Sequence, residues 1–177
     1  MTSPSRVDFF NDPKDGRTVA SAPFLYREHS GDFSVVATVR PDFFATYDAG
    51  TIFAWIDGSR WIKLAFEATD LGHPAVVSVV TDGTSDDANG QRIDAPEVRL
   101  KLSRTDALWG LHWAPTRRSD SGSEAPWSMV RYLRLGESGE RVRVGISVQS
   151  PIGSGCTVRF SEITFSYAPP VNMRTGV

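Results

Sequence analysis

Cysteine occurs once in the 177 residues, at Cys156, and lysine only at Lys14, Lys63 and Lys101. One cysteine excludes an internal disulfide, and without a Cys-x-x-Cys or Cys/His cluster zinc has no ligand set. The three histidines, His29, His73 and His112, stand at no metal-ligand spacing from one another. No apolar run approaches the ~20 residues of a membrane span, and Met1 to Arg6 lack the apolar core of a secretory leader. There is no Gly-x-Ser-x-Gly elbow, no phosphate loop and no dinucleotide fingerprint. A formal net charge of −2 gives no reason to expect binding along a nucleic-acid backbone. These absences lead to an expectation of a cytoplasmic protein with no cofactor, and with neither nucleic acid nor membrane among its partners.

What is present is aromatic and turn-rich: 10 Phe, 5 Trp and 4 Tyr, punctuated by 15 Gly and 11 Pro. The length suits one domain of the usual ~100–200 residues. Apolar and polar residues alternate along many short segments, and a period of two places every second side chain on one face. Phe33 to Val39 reads this way, with Phe33, Val35, Ala37 and Val39 inward. Thr51 to Ile56 and Trp61 to Glu67 flank Asp57-Gly58-Ser59, a hairpin signal. Ala75 to Thr81 continues the meander, and Val98 to Leu102, Leu108 to Trp113, Trp127 to Leu133, Arg141 to Val148 and Thr157 to Phe165 add further strands. Asp82 to about Pro96, rich in Asp, Ser, Gly and Asn, reads as a loop, and so does the stretch from Ala114 to Pro126. No segment carries helical periodicity. The expected fold is all-β, two antiparallel sheets packed face to face as a jelly-roll-like β-sandwich.

Several segments in this order resemble a known family. Phe24-Leu25-Tyr26-Arg27-Glu28 followed by Ser30-Gly31-Asp32-Phe33 is similar to its opening strands. Tyr47-Asp48-Ala49-Gly50, Asp57 and Trp61-Ile62-Lys63-Leu64-Ala65-Phe66-Glu67 resemble its central signature. Ser78-Val79-Val80-Thr81-Asp82-Gly83 with Ser85-Asp86, and the strands around Val142 to Ile146 and Arg159 to Ile163, continue the match. The family is the uncharacterised one that includes the fungal "regulation of enolase" protein, with the fold of concanavalin A-like lectins and glucanases. The resemblance implies a concanavalin A-like jelly roll over residues 8–167, with one concave and one convex sheet. Residues 1–7 and 168–177 are then expected as tails, and Arg117–Glu124 as an insertion.

On the central strand, Trp61, Lys63, Ala65 and Glu67 share one face, and Ile62, Leu64 and Phe66 the other. The second set is the core face, so the first looks outward, and the resemblance places this strand on the concave sheet. An aromatic plate beside a cation and a carboxylate suits a sugar, whose apolar ring face stacks while its hydroxyls bond to charged groups. The plainer alternative is a solvated face with a Lys63–Glu67 pair and Trp61 covering backbone. Ser78 is expected on the same face, joined by Glu28, by Arg99 or Lys101, and by Gln149. Asp48, before Ala-Gly, suits a turn cap and is carried as a further candidate ligand-binding residue.

Glucanases resembling this fold carry two glutamates flanking an aspartate at alternating positions, spaced for hydrolysis. This chain has no Glu-x-Asp pair, so the reading leans against an enzyme; a glycoside hydrolase would have to recruit Glu28 or Asp57 from another strand. In the Asp82–Gly90 stretch, Asp82 and Asp86 are conceivable hard-cation ligands. Ser85 and Pro96, however, occupy positions where a calcium loop needs acids, so no metal is expected. The expected function is a non-catalytic binding module for a saccharide or polyol. The alternative is a metabolic regulator that binds a protein partner, as the resemblance suggests. Edge strands leave room for a homodimer.

Overall fold

The computed structural model describes residues 1–116 and 125–177, and its regular structure is entirely β. In chain order the strands are β1 (Phe9–Asn11), β2 (Thr18–Ala20), β3 (Phe24–Ser30), β4 (Phe33–Asp42), β5 (Ala49–Asp57), β6 (Arg60–Ala68) and β7 (Pro74–Asp82). They continue with β8 (Thr84–Arg92), β9 (Val98–Thr105), β10 (Leu108–Pro115), β11 (Ser128–Arg134), β12 (Arg141–Gln149) and β13 (Thr157–Ser166). A six-stranded sheet runs β3-β12-β5-β6-β7-β8 and a five-stranded sheet runs β11-β10-β9-β4-β13, every pairing antiparallel. The expected two-sheet sandwich is therefore present.

Alternation decides what fills the space between the sheets. Phe33, Val35, Ala37 and Val39 of β4 meet Ile62, Leu64 and Phe66 of β6 there, with Leu100, Leu102, Trp109 and Val144. β5 passes so close to this core that a Cβ on Gly50 would stand 2.5 Å from the Val158 side chain and 2.6 Å from that of Val39. At the β5–β6 turn the Asp57 carboxylate accepts the Ser59 backbone N–H at 2.9 Å, as the Asp-Gly-Ser signal predicts.

Two expectations are overturned. Residues 84–92, read as loop, form edge strand β8, hairpinned to β7 through Gly83 at φ +78°. Its side chains are almost all exposed, so the strand has no buried face to produce alternation; the β7 ladder alone makes it a strand. Such a polar, charged edge also discourages pairing with another chain. Arg99 and Lys101, offered as neighbours of the Lys63 face, lie on β9 in the other sheet.

The first and last residues lie against the sandwich. The Thr2 and Val7 backbones bridge to Thr157 and Ser150. At the other end Lys101 donates to the Gly176 carbonyl at 2.7 Å, and the His112 ring bonds the Arg174 carbonyl at 3.3 Å. The β1–β2 hairpin forms a third small layer across the outer face of the six-stranded sheet. The Arg117–Glu124 stretch, expected as an insertion, lies outside the described residues.

Candidate functional site

Cross-strand register determines which side chains share the outer face of the six-stranded sheet. Phe53 of β5 stands opposite Lys63 of β6, Lys63 opposite Val79 of β7, and Val79 opposite Asp87 of β8. In the adjoining row Gln149 of β12 faces Ala49, and Ala49 faces Glu67. Antiparallel partners project to the same side, so Lys63, Glu67, Asp87 and Gln149 converge on one surface.

The hairpin divides that surface in two. Phe9 of β1 stacks on Phe53 with ring centroids 4.4 Å apart and meets Trp55 and Trp61 edge-on at 5.5 and 6.5 Å. Asn11 anchors the far end of β1, its N–H donating to the Ser85 hydroxyl and its side-chain amide to the Gly83 carbonyl. Beside this aromatic half, a cavity of about 550 Å³ stays open. Lys63, Glu67 and Gln149 floor it, Asp8, Tyr47 and Asp87 wall it, and Phe10, Val19 and Ile152 supply its apolar sides.

The floor is a bonded chain. The Lys63 ammonium donates to Asp8 at 2.9 Å and to the Gln149 carbonyl oxygen at 3.0 Å; the Gln149 amide N–H donates to Glu67 Oε2 at 3.3 Å. Lys63, Gln149 and Glu67 are all buried. Burial is the main force on Glu67 and pushes its pKa up to about 8 against the pull of Lys63; Asp87, Asp8 and Asp70 push the same way. At neutral pH Glu67 is therefore mostly a carboxylic acid, able to donate a hydrogen bond. Asp87 is raised as well, by the protein crowded about its carboxyl, though one side of it remains open. Tyr47 is raised first by burial and then by Asp70, Glu67 and Asp87.

The expected site residues scatter. Lys63 and Glu67 do line the cavity. Trp61, expected as an open plate, is only 1% exposed; Phe9 covers it, so the sugar-stacking role assigned to it fails. Ser78 pairs with Leu64 and faces the sandwich interior, opposite to its expected side. Glu28 sits on edge strand β3 in an exposed cluster with Arg141 and Arg143, away from the cavity lining. Asp48 is fully buried and accepts the Phe44 and Ala45 N–H groups and the Ser150 hydroxyl, so it holds a turn. Asp86 is engaged by Arg131, and among the described residues neither it nor Asp82 belongs to a cluster able to hold a metal. The unforeseen members, Asp8 and Asp87, come from segments read as the start of the domain and as a loop.

The molecule is thus an antiparallel β-sandwich domain with a polar cavity on the outer face of one sheet. It belongs to the family described as proteins of unknown function, DUF1349, whose model matches residues 1–168. It is 31% identical over 162 residues to "Regulation of enolase protein 1" of Saccharomyces cerevisiae, covering 92% of this chain and 78% of that protein. A crystal structure of a functionally unknown protein from Saccharomyces cerevisiae matches with a TM-score of 0.83 and 25% identity, over 94% of this chain and 87% of that one. A mutant of the GH43 protein BlXynB from Bacillus licheniformis matches with a TM-score of 0.70 over 94% of this chain and 32% of that one; its 12% identity shows a shared fold alone. Among the described residues no helix is long and apolar enough to cross a membrane.

Proposed function

We propose that this protein is a non-catalytic binding module that takes a saccharide or similar polyol in the cavity above Lys63 and Glu67, in the cytoplasm. The observation that carries the reading is the buried Lys63–Gln149–Glu67 chain, tied to half-buried Asp8 and opening onto a cavity of about 550 Å³. Buried charged groups are expensive to keep unless fully partnered, and a well-packed apolar set would serve stability as well or better. Convergent donors and acceptors with shifted pKa in a cavity of this size are the usual mark of a ligand site. Hydroxyl groups both donate and accept, and so match an ammonium, a carboxylic acid and a carboxylate at once. Phe10 and Ile152 offer the apolar side that a sugar ring needs.

The test is a thermal-shift screen against neutral and charged saccharides, followed by calorimetry. A ligand at a hundred times its Kd adds about 2.7 kcal/mol, which for a domain of this size raises Tm by roughly 5–10 °C. The shift is expected to vanish in Lys63→Met and to shrink in Asp87→Ala, and the sugar should be recovered chemically unchanged. Turnover of the sugar, or an equal shift in Lys63→Met, contradicts the reading.

A second reading rests on the 31% identity to "Regulation of enolase protein 1": the same face engages a protein partner and acts in metabolic regulation. It predicts that a glycolytic enzyme is retained on immobilised wild-type protein and lost with Asp87→Ala, with no saccharide competing.

A further inference from the structure

Two arginines line the mouth of the cavity. Arg6 precedes β1, and Arg17 lies in the turn between β1 and β2; both are exposed. Neither forms an ion pair among the described residues; on the neighbouring six-stranded sheet Arg60, Arg141 and Arg143 pair with carboxylates, while Arg27 donates to the Tyr167 hydroxyl. Acids around the cavity mouth already have partners, Asp15 Oδ1 among them, which accepts the Arg17 backbone N–H at 2.9 Å. Asp8 Oδ1 already accepts from Lys63 and from the Phe9 N–H. Asp12 Oδ1 caps its own turn through the Lys14 N–H, and Glu67 holds its proton at neutral pH.

The backbone supplies an independent observation. Among the described residues four other than glycine have positive φ: Arg6 at 58°, Tyr47 at 69°, Asp106 and Glu162. Two of the four line this cavity. A left-handed backbone is disfavoured for an L-residue, and residues held this way cluster at ligand clamps.

Resting on the saccharide reading, we propose that the cavity selects a hexose-sized polyol bearing one anionic group, with that group on Arg6 and Arg17 at the mouth and the ring hydroxyls on Lys63, Glu67 and Asp87 below. A guanidinium presents paired N–H donors that match a carboxylate or phosphate in two-point contact. The buried floor meanwhile offers the mixed donors and acceptors that hydroxyls require. Carboxylate and phosphate share this chemistry, and the experiment separates them.

The experiment is calorimetric titration of the full chain at pH 7 with D-glucose, D-glucuronate, D-glucose 6-phosphate and inorganic phosphate. It is repeated on the double variant Arg6→Gln/Arg17→Gln, with melting temperature as the check on folding. The expected result is that one or both charged sugars bind at least tenfold tighter than glucose, with the stronger naming the anion. The double variant should reduce the ratio of charged sugar to glucose to about one at an unchanged melting temperature. Equal binding of glucose and both charged sugars to the wild type overturns the anionic preference but leaves the saccharide reading standing. Inorganic phosphate binding as tightly as the phosphorylated sugar overturns the polyol part, and no binding of any sugar overturns both.

Discussion

At the scale of single residues, Glu67 carries the sharpest consequence. Folding takes its carboxyl from an ordinary pKa near 4.5 to about 8. Between those values the unfolded chain binds fewer protons at this group than the folded one, so stability falls as pH rises through the window and levels above it. Glu67→Gln keeps the shape and an acceptor for the Gln149 amide but has no proton to lose. At pH 8 the variant should be more stable than wild type, by an amount on the order of a few kcal/mol, with little difference at pH 4. Urea denaturation across that range measures it; a pH-independent difference would mean that Glu67 does not titrate as described. Lys63 and Glu67 are legible as outer-face residues that line the cavity, because a period-two strand lifts them off the core face. Trp61 shares their phase, but phase tells which side of a sheet a residue faces and not what lies above it, and Phe9 covers it.

At the scale of elements, the β1–β2 hairpin turns an ordinary sheet face into a cavity. Three residues in each strand give too little alternation to register in the sequence, and the hairpin is identifiable only by what it touches. Phe9→Ala should remove the ring stacked on Phe53, lose about 3 kcal/mol as buried aromatic truncations do, and open Trp61 to solvent. Acrylamide quenching of tryptophan fluorescence should rise; unchanged quenching at equal destabilisation would place Phe9 elsewhere. β8 hid for the opposite reason. Its nine residues carry almost no apolar side chain, so composition signals a turn-rich loop while the β7 backbone imposes a strand. With that strand goes Asp87, whose place in the Lys63 row, across Val79, follows at once from the register Lys63–Val79–Asp87. By contrast, β4, β6, β7, β9 and β12 have a buried face, and alternation reveals them.

At the scale of the whole molecule, the two sheets are held at one end by Arg104. It is fully buried, and its guanidinium donates to the carbonyls of Asp106, Glu137 and Glu140 at 2.6–2.7 Å. One side chain thus fastens the β9–β10 turn of one sheet to the β11–β12 connection leading into the other. Burial lowers its pKa, with Glu140, Asp32 and Asp106 opposing. Arg104→Met removes three hydrogen bonds, although the Glu137 carbonyl keeps the Glu140 N–H at 3.3 Å, and should cost about 3 kcal/mol at roughly one per lost bond. This would appear as a lower urea midpoint at unchanged m-value; an unchanged midpoint would show that the fastening is dispensable.

In the proposed function the cavity beside the hairpin, rather than the aromatic half under it or the opposite sheet, receives the ligand. Amide chemical-shift mapping tests this most directly, with isotope-labelled protein titrated with D-glucose and D-glucuronate at pH 7. The predicted result is saturable shifts gathered at Arg6, Asp8, Lys63, Glu67, Asp87 and Gln149, with Trp61 and β9 unmoved. Shifts centred on Arg99 and Lys101, or no shifts at millimolar sugar, would contradict it.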